Sequence, residues 1–327
     1  MEAAGIGKKT GRALAAAAMF LCASLAAAQP AAEGPIKFVI ITAAGGASDQ
    51  IARLIGERLT TLTGRTVLVE NRPGAGGNIA TQFVARAHPD GATFLVTSNN
   101  HTINPFIYKE AGYDPERDLM PVIQLGAGPS VLAVHPSVPA RTLKEFVALS
   151  KRKPGSLSYA STGLGSASSL AGELLKVSSG LDMEHIPYKG GAEAITAVLG
   201  GQVPAIVTSL TSAGPHIKSG KLRPLAVATP QRWPGDPDIP TMAESGWPDC
   251  KYEVWQGLLA PRGTPAAVIE KMNADVGRVL AMPDVKERFM TLGYRPVGGT
   301  TEAFRKMLAE DRTQVAQIVK RVNMHAD

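Results

Sequence analysis

The chain has 327 residues, 44% of them hydrophobic and 19% charged, with a formal net charge of +6. A chain of this length and composition can bury substantial cores and suits two domains better than one. Its basic residues are scattered among acids rather than gathered in a stripe, which excludes a nucleic-acid-binding surface.

Residues 1–28 read as a cleaved export signal. Lys8, Lys9 and Arg12 form a basic stretch, Ala13 to Ala28 run almost wholly small and apolar, and Ala26-Ala27-Ala28 makes a cleavage pattern before Gln29. The apolar run is too short and too alanine-rich for a membrane span, and no later segment holds about 18 consecutive apolar residues. Leu21 precedes Cys22 where a lipoprotein site needs a small residue, so the expected product is a soluble periplasmic protein. Cleavage leaves Cys250 alone, which excludes an intramolecular disulfide and a thiolate metal cluster.

In chain order, Ile36 to Thr42 is a strand-like run that ends at Ala43-Ala44-Gly45-Gly46-Ala47-Ser48-Asp49. A helix follows with Ile51, Leu54, Ile55, Leu59 and Leu62 on one face. A second strand (66–70), the loop Asn71 to Asn78 (NRPGAGGN), a second helix with Ile79, Phe83 and Val84, and a third strand (92–98) complete the unit. The pattern then repeats. A strand over 157–160 leads to Ser161-Thr162-Gly163-Leu164-Gly165-Ser166, followed by a helix with Leu170, Leu174 and Leu175. Strand 183–188, a Gly190-Gly191 loop, a helix with Ile195, Val198 and Leu199, and strand 203–209 close the second unit, and both third strands end in Val-Thr-Ser. Strands alternating with helices predict two similar α/β lobes with parallel sheets. Beyond them, Thr264 as N-cap and Pro265 at the first helical position predict a helix bearing Val268, Ile269, Met272, Val276 and Leu280. A last helix with Phe304, Met307, Leu308, Val315, Ile318 and Val319 could pack back on the first lobe.

In each lobe the first strand ends at a glycine-containing loop that opens a helix. Such loops let the backbone come close to a ligand, and the helix start supplies N–H donors and positive dipole. Gly45, Gly46, Ala47 and Ser48 would line one side of a cleft, and Thr162, Gly163, Gly165 and Ser166 the other. Ser48, Ser161, Thr162, Ser166 and Ser168 add neutral hydroxyls, while Asp49 and Asn78 fit equally well as residues that stabilise their own helix starts. No cofactor or metal is expected: the third glycine of a dinucleotide fingerprint is missing, and the histidines lack metal-ligand spacing. There is no Walker loop, G-x-S-x-G elbow or H-E-x-x-H, so the expectation is a binding protein rather than an enzyme.

The stretches PIKFVIITAAGGASDQIARLIGERL, VLVENRPGAGGNIATQFVARAHPDGATFLVTSNNHTINPFIY, YASTGLGSASSLAGELL, HIPYKGGAEAITAVLGGQVPAIVTS and GKLRPLAV closely resemble the Bug family. These are the extracytoplasmic solute receptors of the tripartite tricarboxylate transporter group, and the likeness covers nearly the whole chain after the signal. The resemblance implies a periplasmic-binding-protein fold of type II kind: two α/β lobes joined by two crossing strands, with the cleft between. Domain one would be 29–131 plus 256–327 and domain two 132–255, with crossings at Val131 to Val134 and Trp255 to Leu259. It implies a small carboxylate, an organic acid or amino acid, held by Ala43 to Asp49, including Ala44, and by Ser161 to Ser168. Ser98, Asn99 and His101 would form cleft wall, and Tyr188 and Thr208 would reach in from the second lobe. The implied partners are membrane permease subunits, or alternatively a sensor kinase of a two-component system, with the receptor itself a monomer. Ala44 replaces a proline usual in the family, and Thr208 stands where an aspartate is frequent.

Overall fold

The computed structural model describes residues 34–326, so the export-signal reading of 1–28 and the start of the first domain lie outside the described residues. Three parallel strands, β1 (Ile36–Ile40), β2 (Val67–Asn71) and β3 (Thr93–Ser98), are each followed by a helix: α1 (Ala47–Thr63), α2 (Asn78–Ala85) and α3 (Asn100–Ile107). The strands are near-continuous apolar runs because both faces are covered. Phe38, Ile40, Phe94 and Val96 face one cluster with Ile51, Ile55 and Leu59, whereas Val39, Ile41 and Leu95 face another. Phe38 and Phe94 meet edge to face with centroids 6.4 Å apart. Each such side chain, fully buried, contributes about 1.5–3 kcal/mol.

The chain leaves this sheet along β4 (Leu119–Gly128), turns at Pro129, and enters a second sheet as β5 (Ser130–Val134). There α4 (Leu143–Arg152), β6 (Ser158–Ser161), α5 (Ala167–Ser179), β7 (Glu184–Pro187), α6 (Gly191–Leu199), β8 (Ala205–Ser209), α7 (Leu210–Lys218) and β9 (Arg223–Val227) follow. Its strand order is β7-β6-β8-β5-β9, with β6 parallel to β7 and β8, and β5 antiparallel to β8 and β9. The chain returns as β10 (Val254–Pro261), adds α8 (Ala266–Ala281), α9 (Pro283–Thr291) and β11 (Arg295–Gly298), and ends in α10 (Thr301–Val322). The first sheet then reads β11-β4-β10-β3-β1-β2.

Two α/β lobes of the periplasmic-binding-protein type therefore share two connections. Val131–Val134 lies within the second sheet and Trp255–Leu259 within the first; the passages between sheets fall at Pro129 and between Val227 and Val254. Thr264 does not cap α8. Its hydroxyl donates to the Pro261 carbonyl at 2.8 Å, and Pro265 occupies the N-cap position. The tail helix α10 does return to the first lobe, where Phe304 packs edge to face on Trp255. Its buried Asp311 accepts from Thr102 at 2.5 Å and from the Trp255 indole at 3.0 Å. Burial raises that carboxyl, and the hydrogen bonds oppose the rise.

Candidate functional site

Parallel strands place their following loops at the carboxyl edge of a sheet, so the loops after β1, β2 and β3 share one rim in the first lobe, and those after β6, β7 and β8 share one in the second. In the 43–49 loop Gly45 takes φ +83° and Gly46 is the N-cap of α1, with no side chain capping the helix. Asp49 is 3% exposed and turns back on the loop: it accepts the Gly45 N–H at 2.8 Å, Arg53 Nε at 3.0 Å and Asn71 Nδ2 at 3.0 Å. Burial alone would raise its carboxyl. The bonds from Arg53, Gly45 and Asn71 more than offset this and hold it below the usual range. Its charge is thus neutralised where the loop is braced. Ser48 also faces inward, donating to Gln256 Oε1 on β10 at 2.7 Å. Ala43, Ala44 and Gly45 are the exposed residues of the loop.

Helix α2 begins at Gly77 and α3 at Asn99, again with no side-chain cap. Three helix starts on one edge thus keep first-turn N–H groups without an intrahelical partner, apart from the Asn78 N–H, which donates to the Ala75 carbonyl, and the Thr102 N–H, which donates to that of Asn99. Together they give the rim of the first lobe a positive partial charge, and no lysine or arginine stands in its 42–49 loop.

The 161–168 loop is built differently. Ser166 caps α5 by accepting the Ser169 N–H at 3.2 Å, and its hydroxyl donates to the Gly163 carbonyl at 2.6 Å. Ser168 Oγ lies 2.8 Å from both Ser166 Oγ and Thr162 Oγ1 and accepts the Thr162 N–H at 3.2 Å. Ser161 Oγ accepts the Gly163 N–H at 3.2 Å and sits 2.6 Å from His185 Nε2 on β7. His185 stacks on Tyr159 with centroids 4.7 Å apart, and burial drives its pKa down to about 4 against the field of Glu173. The ring is neutral at pH 7. The loop's serines and threonine are knit to one another.

The remaining expected residues divide. Ser98 is partly buried and its hydroxyl contacts Asn100 Oδ1 at 3.2 Å. Asn99 donates to the Tyr252 hydroxyl and the Glu253 carbonyl and accepts the Trp255 N–H at 3.0 Å, so it ties α3 to the returning connection. His101 is 2% exposed, stacks on Tyr113 and is held neutral by burial, with a pKa of about 4. Pro105, with no N–H to give, leaves the His101 carbonyl open, and the Tyr113 hydroxyl takes it at 3.1 Å. The backbone N–H of Tyr188 donates to the Ser161 carbonyl at 3.1 Å. Thr208 is fully buried at the end of β8, with Oγ1 lacking a partner among the described residues; Thr97, its counterpart at the end of β3, has the same character. Sequence reasoning passed over His185, Gln256 and Asn104, because each is a single polar residue inside an ordinary helix or strand pattern and gains its role only from partners far along the chain.

Comparison with known proteins agrees with this architecture. The family model described as "Tripartite tricarboxylate transporter family receptor" matches residues 51–324. Protein BugT of Bordetella pertussis is 33% identical over 288 residues, covering 88% of each chain. Among solved structures, R. palustris Rpa4515 with adipate superposes with a TM-score of 0.86 at 31% identity, covering 90% of this chain and 98% of that one. MatC from Rhodopseudomonas palustris with bound malate gives 0.82 at 31% identity, covering 88% and 99%. With the two lobes, their glycine rims and these matches together, the chain belongs to the tripartite tricarboxylate transporter receptor family, the Bug-type periplasmic solute-binding proteins.

Proposed function

We propose that this chain is a periplasmic receptor that captures a small carboxylate in the cleft, closes on it, and presents it to membrane permease subunits of the tripartite tricarboxylate type. The observation that carries this reading is the convergence of three uncapped helix starts on the first-lobe rim. A carboxylate taken there replaces water with charge-assisted N–H bonds, each contributing roughly 1.5–3 kcal/mol. The relatives solved with adipate and malate support the same ligand class. The bodies that close are the lobe built on the first sheet and the lobe built on the second, turning about the passages at Pro129 and between Val227 and Val254. The export signal at 1–28 fits a protein that works outside the cytoplasm.

The pair Ser161–His185 has the spacing of a nucleophile and its base, yet the imidazole is a weak base and Ser161 is fully buried and also bound by the Gly163 N–H. We read the pair as bracing the loop, not as catalytic. The test is a thermal-shift screen of the protein from Gln29 onward, unfolded and refolded to strip carried-over ligand, against mono- and dicarboxylates headed by malate and adipate. An acid at 100 times its Kd stabilises the native state by about 2.7 kcal/mol. A selective shift from an acid recovered unchanged by mass spectrometry supports the receptor; conversion of the acid would contradict it, as would silence across the panel.

A further inference from the structure

The 71–78 loop has no charged or hydroxyl group to offer a ligand between Pro73 and Gly77, yet it takes part in a three-way contact. Asn104, on α3, is 1% exposed; its Nδ2 donates to the Gly76 carbonyl at 2.9 Å and to Asn78 Oδ1 at 2.6 Å. A backbone carbonyl can only accept, so the Gly76 contact fixes which atom of the amide is the donor there, and Oδ1 is the amide atom that meets the second lobe. Gly165 of the second lobe stands against that oxygen. A Cβ placed on Gly165 would lie 2.3 Å from Asn104 Oδ1 and 3.0 Å from Ile107 Cδ1, and Gly165 holds φ +74°. The backbone of the 161–168 loop therefore rests directly on the Asn104 amide, an approach that only glycine allows. Asn104 Oδ1 is buried and has no hydrogen-bond partner among the described residues. A Cα–H contact from Gly165 offers it weak compensation.

We propose that Asn104 is the latch of the closed cleft: clamped to the 71–78 loop on one side, it seats Gly165 on the other and so positions the 161–168 loop over the ligand without touching the ligand. This rests on the capture reading given above. The contact joins different lobes, so it forms and breaks as they turn, and its contribution falls on the closed state alone. Because apparent affinity scales with the closed population, a variant that spoils the seat weakens every ligand by one common factor.

The experiment compares wild type, Gly165→Ala, Asn104→Ala and the double variant by titration with adipate and malate and the rest of the carboxylate panel. It also measures the radius of gyration by small-angle scattering with and without acid, and circular dichroism melting to establish folding. We expect Gly165→Ala to weaken binding about tenfold or more, for a tenfold loss of closed population, and to abolish ligand-induced compaction. Asn104→Ala weakens it as well. In the double variant the oxygen that the new methyl group strikes is gone, so the combined loss is smaller than the product of the single losses and compaction returns. Wild-type affinity and compaction in Gly165→Ala, or strictly multiplicative losses in the double variant, would overturn the latch while leaving the receptor standing. If Gly165→Ala does not fold, Asn104→Ala decides alone: unchanged affinity and compaction overturn the latch. A wild-type protein that neither binds nor compacts with any acid of the panel overturns the receptor reading and the latch with it.

Discussion

In the first lobe the helices after β1, β2 and β3 begin at Gly46, Gly77 and Asn99 with no side chain capping them, whereas in the second lobe Ser166 and Ser209 cap α5 and α7 from within. Only α6, which starts at Gly190, shares the open form there. The two lobes thus repeat one strand–loop–helix plan and finish it with opposite chemistry. One rim keeps its donors for an anion, and the acid nearest it, Asp49, is spent on bracing the loop. The other consumes its donors in a net of hydroxyls and becomes a preformed jaw. On the capture reading proposed above, the difference would put anion binding in the first lobe and enclosure in the second.

Gly46→Asp is the strongest way to break that contrast. Gly46 has φ −68°, so a side chain costs no backbone strain, although its Cβ would press on Thr42 Oγ1 at 3.0 Å. The new carboxylate would cap α1 and occupy the site itself. Loss of two charge-assisted bonds predicts a Kd weakened by roughly 100-fold or more in calorimetric titration, with the thermal midpoint within about a few degrees of wild type. Ser166→Ala acts on the other lobe. It removes a cap and the centre of the hydroxyl net, so urea denaturation should show a loss of about 1 kcal/mol, and the affinity loss should be much smaller than for Gly46→Asp. Equal affinity losses in the two variants would erase the asymmetry. The smallest effect concerns Asp49→Asn. A carboxyl held below its ordinary 3.8 stabilises the fold fully above that pH, and this contribution fades as pH falls through the depressed value. Wild type should therefore lose stability in acid more steeply than Asp49→Asn, as read by melting temperature between about pH 5 and 2.

Much of this was legible in the chain. The glycine loops after β1 and β6, the alternation of strand and helix, and the doubled Val-Thr-Ser endings are local patterns, and local patterns survive without tertiary knowledge. The face of α1 is an example: Ile51, Ile55 and Leu59 recur at helical spacing and are buried together. What the spacing could not reveal is direction. In sequence Ser48 looks like a cleft residue and Asp49 fits either the cleft or its own helix start; their partners, Gln256 and Asn71, lie on other strands and turn both side chains inward. Thr264 looks like a cap and is instead drawn to Pro261. Asn104 is one asparagine before a proline; its role depends on Gly76 and Gly165, which belong to two other loops and to both lobes.

The most direct test of the account is a crystal structure of the refolded protein with the acid that shifts its melting most. A carboxylate oxygen should lie about 2.7–3.1 Å from backbone nitrogens at the first-lobe helix starts, at Gly46, Ala47 or Ser48 foremost, with the 161–168 loop closing over the rest of the ligand. A carboxylate held by the second lobe's hydroxyl net, with the α1 start left to solvent, would contradict it.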